Sequence, residues 1–219
     1  MSAEVHILGE RPSLLSQFLA EIRDSETQRD ALRFRRNIER IGEIMAYEIS
    51  QALPHRRVDV TTPLGVARCH RLEAQPVLAT ILRAGLPLHQ GLLNYFDRAE
   101  NTFISAYRKH EGNDEHFEVE IEYLSSPPLE GKTVILSDPM LASGSSMVLA
   151  YQALLERGTP GQLHVAVVIA SEEGIEFARR RLPDDTTIWA GAVDAEMTPR
   201  KYIVPGLGDA GDLAYGAKE

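Results

Sequence analysis

The sequence predicts an α/β fold: a parallel-sheet core with helices on both faces, a β-hairpin arm and an irregular carboxyl-terminal hood. Three observations carry that reading. Four short apolar runs, Val77 to Leu82, Thr133 to Ser137, Leu163 to Ala170 and Thr187 to Val193, lack the polar alternation of a half-exposed strand and suit strands buried on both faces. Helical segments alternate with them, at Leu86 to Phe96, Met147 to Arg157 and Glu172 to Arg181, and such alternation implies right-handed crossovers and a parallel sheet. Finally, two of the runs end in loops of small residues that lead straight into a helix, Arg83-Ala84-Gly85 and Ala142 to Ser146, which places both loops at one edge of the sheet.

Taken in order, residues 11 to 24 form a short amphipathic helix through Leu14, Leu15, Phe18, Leu19 and Ile22. A longer helix runs from Arg29 to Leu53, with Ala31, Phe34, Ile38, Ile41, Met45 and Ile49 on one face, and Pro54 ends it. Opposite lies a stripe of Arg29, Arg33, Arg36 and Arg40. It is either a contact for an anionic neighbour or a solvated face with pairs such as Arg36 with Glu39 and Arg40 with Glu43, the commoner arrangement. Val58 to Thr62 and Val66 to Leu72, joined through Pro63-Leu64-Gly65, read as a hairpin on a sheet edge. Thr102 to Tyr107 is a further strand ending at Arg108, and the charged stretch 108–125 reads as a hairpin arm that closes over a ligand. The tail, 198–219, holds two prolines and four glycines without periodicity; its Tyr202, Ile203, Val204 and Leu207 favour an ordered functional loop.

With 219 residues, 43% of them apolar, the whole of 1–219 can bury one core. The net charge is −9, and because the first 75 residues balance 11 basic against 11 acidic side chains, the deficit falls on the remainder. Such a chain leans away from nucleic acid. A lone cysteine, Cys69, and the lack of an 18-residue apolar stretch or a basic-then-apolar leader point to a cytoplasmic protein with no membrane span. The seven histidines are scattered, with no paired ligands at metal spacing.

The chemistry concentrates between Lys132 and Met147. A strand delivers Asp138 to the sheet's carboxyl edge, where a carboxylate suits sugar hydroxyls or a magnesium-bound group. Ala142, Ser143, Gly144, Ser145 and Ser146 then offer close backbone approach, hydroxyl donors and a helix start, an anion cradle suited to a phosphorylated sugar. Arg83 in the companion loop can grip a pyrophosphate bidentately, or simply cap a strand end. Two lookalikes fail. Gly131-Lys132-Thr133 lacks the first P-loop glycine, since position 126 is Ser126, and a strand follows it; Gly206, Gly208 and Gly211 spell a dinucleotide fingerprint with only eight residues after it.

The block Asp138 to Ser146, DPMLASGSS, resembles the phosphoribosyl-pyrophosphate (PRPP) loop of the type I phosphoribosyltransferases, in the form found in their uracil branch. Ile81 to Leu86 (ILRAGL), Tyr107-Arg108, Tyr202 to Asp212 (YIVPGLGDAGD), Arg33 to Ile49 and Thr61 to Gly65 agree with that branch, from about residue 30 to the end. The resemblance implies transfer of phosphoribose from PRPP to uracil, giving UMP and pyrophosphate. It implies PRPP contacts at Arg83, Arg108, Asp138, Pro139, Met140, Leu141, Ala142, Ser143, Gly144, Ser145, Ser146 and Asp209, and uracil contacts at Ile203, Gly208, Asp209 and Ala210. Arg83, Arg108 and Asp138 would act electrostatically, without a covalent nucleophile. Mg2+ would be held mainly by PRPP, near Asp209. GTP as an effector and assembly as a homodimer or homotetramer are also family traits.

Two departures stand out. Relatives commonly read A-T-G-G-S where this chain reads Ala142-Ser143-Gly144-Ser145-Ser146, and a serine at 145 suits the loop only if its φ is negative. Two rivals remain at this point: a PRPP-fold regulator that binds RNA, for which the arginine stripe is the one basic face, and a purine phosphoribosyltransferase with the same phosphate loop.

Overall fold

The structure, a computed structural model, describes the backbone of residues 3–110 and 117–217, and side chains there except at 106–110 and 117–121. In chain order the elements are β1 (Glu4–Ile7), α1 (Leu14–Arg23), α2 (Ala31–Ala52), β2 (His55–Thr62), β3 (Gly65–Leu72), β4 (Val77–Leu82), α3 (Leu86–Tyr95), β5 (Glu100–His110), β6 (Phe117–Ser125), β7 (Thr133–Leu141), α4 (Ser145–Leu154), β8 (Gln162–Ser171), α5 (Glu172–Arg179), β9 (Thr187–Asp194), β10 (Glu196–Met197), β11 (Ile203–Val204) and α6 (Ala210–Tyr215).

Seven strands form one sheet in the order β1-β9-β8-β7-β4-β5-β6, parallel throughout except for the β5–β6 pair. From β4 the chain moves outward through β5 and β6, then returns to the other side of β4 as β7 and moves outward again through β8 and β9. The order therefore reverses between β4 and β7, and a crevice opens at the carboxyl ends of those two strands. Their ladder stops at Thr80 opposite Ser137. There the fully buried hydroxyls tie the strands together: Thr80 Oγ1 donates to the Ser137 carbonyl (3.2 Å) and Ser137 Oγ to that of Ala79 (3.1 Å). Beyond this point the strands are free to diverge.

Side chains alternate through the sheet into two apolar layers. Ile135, Ala166 and Val168 join α1, α2 and α3 on one face, through residues such as Ile22, Phe34, Met45 and Leu88. Val134, Leu136, Val165 and Val167 join α4 and α5 on the other, against Met147, Leu154 and Ile175. α2 forms as its pattern predicts: Asp30 caps it by accepting from the Arg33 amide (3.0 Å), and extended Leu53 before Pro54 closes it.

The structure corrects several expectations. The β2–β3 hairpin is a separate two-stranded sheet and pairs with neither edge strand of the main one, β1 or β6. β1 itself was not foreseen; four residues with mixed polarity carry too little periodic signal. Arg36 pairs with Glu39 (2.6 Å) as expected, but Arg40 turns to the Asn37 oxygen (3.1 Å) and the Phe18 ring instead of Glu43. Arg29 pairs with Glu26 and Arg33 with Glu21, so the stripe is largely neutralised. Among the described residues no helix is long and apolar enough to cross a membrane.

β8 also hides a titratable group that its apolar run concealed. His164 is fully buried, its Nδ1 accepts from Trp189 Nε1 (3.2 Å) and its Nε2 has no partner among the described residues. Burial first, and the charge of His6 second, lower its pKa from 6.5 to about 4. The folded protein thus takes up this proton later than the unfolded chain does, so the stability this neutral ring supplies is complete above pH 6.5 and lost as pH falls through about 4. Asp138, discussed below, titrates with the opposite slope. We therefore expect the contribution, up to about 3 kcal/mol, in the difference between wild type and His164→Leu. Urea-unfolding free energies from pH 7 to pH 4 check it, and an equal pH slope in both proteins would refute it.

Candidate active site

Both loops at the crevice are built from the ends of the two diverging strands. β7 runs to Leu141, past Asp138. From Asp138 onward it pairs only with β8, with Pro139 skipped in the ladder, so the missing proline N–H costs no bond toward β4. Pro139 and Leu141 are buried and Met140 packs on the α2-side core, so what these three can offer a ligand is backbone.

The open cradle starts at Ala142. Gly144 adopts φ +79°, and a Cβ there would lie 2.9 Å from the Gly174 carbonyl oxygen and 3.0 Å from the Phe177 ring, so only glycine fits. It precedes α4 without supplying a side-chain cap, and α4 begins two residues earlier than the predicted Met147. Ser145 and Ser146 therefore stand in the first helical turn, with amides at the positive end of the helix. Ser143 Oγ donates to Ser145 Oγ (3.2 Å). Among the described residues the one non-glycine with positive φ is Lys201, so Ser145 meets no strain and the departure from the commoner loop is harmless to the backbone.

The cradle is braced from behind by residues the sequence did not single out. Ser171, at the end of β8, caps α5 by accepting from the Gly174 amide (2.8 Å) and donates to the Ala142 carbonyl (2.6 Å). The Ser-Glu-Glu run at 171–173 is a helix-start signal, but its second bond, to the loop 29 residues away, has no sequence trace.

Asp138 carries the strongest electrostatic signature of the site. Burial pushes its carboxyl up to about 7, the Met140 amide opposes this by donating to it, and the negative charge of Asp209 adds to the rise. Asp209 belongs to the tail, which is more regular than expected: β10 and β11 form a small ribbon, and Asp209 caps α6 by accepting from the Asp212 amide (3.0 Å). Asp138 and the tail's Asp209 thus lie near enough for one charge to act on the other group.

Arg83 joins the other loop to the tail. Its Nη2 donates to Asp212 Oδ1 (3.2 Å) and the Gly216 carbonyl (2.6 Å), while its buried Nε has no partner among the described residues. Of the predicted base-side residues, Ile203 and Ala210 are buried, whereas Gly208 and Asp209 are exposed. Neither peptide group of Gly208 is engaged by the described residues. The backbone of Arg108 lies in β5 opposite Val119; its side chain and residues 111–116 of the arm lie outside those described. No group of three or more His, Cys, Asp or Glu that could hold a metal exists among the described residues.

The profile of the uracil phosphoribosyltransferase family matches residues 10–217. The chain belongs to that family. A uracil phosphoribosyltransferase of Porphyromonas gingivalis is 56% identical over 98% of this chain and 99% of its own length, and that of Pyrobaculum arsenaticum is 40% identical over 90% and 92%. A protein of known structure from Aquifex aeolicus superposes with a TM-score of 0.84 at 29% identity, over 97% and 98% of the two chains. A hypoxanthine phosphoribosyltransferase from Staphylococcus aureus shares the fold at TM-score 0.50 and 15% identity over 86% and 84%. In this uracil phosphoribosyltransferase family member the crevice between β4 and β7 is accordingly the candidate active site.

Proposed function

We propose that the chain transfers the 5-phosphoribosyl group of PRPP to uracil, releasing UMP and pyrophosphate, with the whole of 1–219 as one domain, 108–125 its arm and 198–219 its hood. The observation that carries this reading is the electrostatic meeting of Asp138, from β7, with Asp209, at the start of α6, because it joins a sugar-phosphate cradle to a base-facing loop.

In this reading the 5-phosphate sits on the amides and hydroxyls of Ala142, Ser143, Gly144, Ser145 and Ser146. Asp138 accepts from the ribose hydroxyls. The unpartnered Nε of Arg83, with Arg108 from the arm, offers donors to the departing pyrophosphate as its charge grows. Breaking the anomeric bond leaves positive charge on the sugar, so positioning and electrostatics suffice and no covalent nucleophile takes part. Uracil presents a donor at N3 between two carbonyl acceptors, a pattern that the free N–H and C=O of Gly208 and the first amides of α6, at Ala210, can match between Ile203 and Asp209.

Two carboxylates, Asp138 and the Asp209 whose charge acts on it, fit a divalent cation whose other ligands are substrate oxygens, and no three-carboxylate cage is available among the described residues. Bound with PRPP, Mg2+ would neutralise the phosphates. A GTP effector, assembly as a homodimer or homotetramer and a cytoplasmic location are further proposals that rest on the family alone. The neutralised arginine stripe speaks against the RNA-binding regulator.

Incubating the protein with PRPP and magnesium and, in turn, uracil, cytosine, hypoxanthine and adenine tests the reading. Uracil should give nucleotide at least about 10⁴-fold faster than cytosine, which would leave buried polar groups unpaired. A purine or cytosine reacting as fast as uracil would overturn it.

A further inference from the structure

The base-facing loop is held in place by a charged pair that lies outside it. Arg23, the last residue of α1, grips Asp194, the last residue of β9, through two parallel bonds: Nη1 to Oδ2 and Nη2 to Oδ1, both 2.8 Å. Neither group is spent on the other alone. Asp194 Oδ2 also accepts from the Gly206 amide (2.9 Å), and Arg23 Nη1 also donates to the Gly206 carbonyl (3.0 Å). Asp194 is 8% exposed and Arg23 23%, so the pair works largely out of water.

Gly206 is a position that needs holding. It adopts φ +53° and is buried, and a Cβ there would sit 2.2 Å from the Ile203 carbonyl oxygen. The next residue is pinned as well: the Gln28 amide nitrogen, in the orientation that satisfies both ends of the group, donates to the Leu207 carbonyl (2.9 Å) and that of Ile22 (3.2 Å). The Gly206 amide is thus taken by Asp194 at the end of β9, and the carbonyls of Gly206 and Leu207 by the amino-terminal segment. Gly208, one residue on, has neither of its own peptide groups engaged among the described residues.

We infer that Arg23 and Asp194 are positioning residues for the pyrimidine, clamping the Gly206 peptide so that the free groups of Gly208 and the α6 amides are fixed at the spacing one base edge requires. This rests on the proposed placement of uracil against Gly208 and Ala210. Fixed donors and acceptors discriminate between bases because a mismatched edge cannot be met by relaxation of the loop; a loosened loop can turn a peptide group and accept the wrong edge. The clamp touches neither substrate. Its loss should therefore appear in the base and leave the sugar phosphate alone, since the Ser143–Ser146 cradle is braced separately by Ser171.

Steady-state kinetics of Arg23→Ala and Asp194→Asn test the clamp. Expected are a rise of at least about tenfold in the KM for uracil, a KM for PRPP within about twofold of wild type, and a uracil-over-cytosine preference reduced at least about tenfold. Arg23→Lys keeps the charge but not the fork, and should give an intermediate uracil KM. If Arg23→Ala does not fold, Arg23→Lys decides alone: a threefold or larger rise in uracil KM with PRPP unaffected supports the clamp. A lowered melting temperature with both KM values unchanged, or both raised together, overturns it. Ala210→Pro separates the two levels of inference. Asp209 already has the extended geometry (φ −96°, ψ 109°) that a following proline requires, and proline is tolerated at a first helical position, so the change deletes one amide with little cost to the turn. If Ala210→Pro leaves the uracil KM intact, the base site itself is misplaced; if it raises that KM while Arg23→Ala does not, only the clamp falls.

Discussion

Asp138→Asn is expected to lose at least about tenfold in turnover and to gain stability at the same time. The asparagine keeps the size of the side chain but lacks the negative charge with which the proposed Asp138 would accept from ribose hydroxyls and share a cation with Asp209. The stability gain follows from the direction of the shift. The carboxyl pKa rises from 3.8 in a solvated chain to about 7 in the fold, so the folded state binds its proton more tightly. Sites of this kind stabilise at low pH, and that stability is lost as pH climbs from about 4 through about 7. Above pH 7 the wild-type protein carries the full penalty of an unwelcome carboxylate, up to about 4 kcal/mol; the variant carries none. Melting temperatures at pH 5 and pH 8 should show the two proteins diverging as pH rises, with the variant the more stable at pH 8. In wild type, kcat/KM for PRPP should climb through about pH 7 as the carboxylate forms. An equal melting temperature at both pH values would show that Asp138 is an ordinary solvated acid.

Gly144→Ala is expected to raise the KM for PRPP by about 10²-fold while leaving the KM for uracil near wild type. Two costs meet at this one methyl. The residue must hold φ +79°, disfavoured by about 1–2 kcal/mol for an L side chain, and its Cβ would press on a carbonyl oxygen of α5 at 2.9 Å and on the Phe177 ring at 3.0 Å. A backbone carbonyl at a helix start cannot move aside as a side-chain tip can. The turn itself must shift, and with it the amides of Ser145 and Ser146 on which the proposed phosphate site rests. Substrate kinetics with each substrate varied in turn would check this, and wild-type PRPP affinity in a folded Gly144→Ala protein would place the phosphate elsewhere.

Much of the site could be read in the chain because its chemistry is local. Asp138 and the Ala142–Ser146 turn are contiguous, the turn follows a buried apolar strand, and a helix follows at once; each of these has a short-range signature. Arg83 stands out in the chain for the same reason, yet its hydrogen bonds run to Asp212 and Gly216, more than 120 residues away, and no spacing announces them. The start of α4 was misjudged by two residues because serines in a first helical turn look like loop. The tail looked irregular because a two-residue ribbon and a six-residue helix are shorter than any periodic signal.

What the sequence determined by itself is the layered α/β core and the run of an acid, a small-residue turn and a helix start that follows its β7 strand, since apolar runs, small residues and a carboxylate act through neighbours a few positions away. Only the tertiary structure decided where those pieces meet. The reversal of strand order at β4 and β7, the pressure of Asp209 on Asp138, the brace from Ser171 and the grip of Arg23 and Asp194 on Gly206 all join residues far apart in the chain. Their energies depend on burial and on angles fixed by packing, and a linear string carries neither.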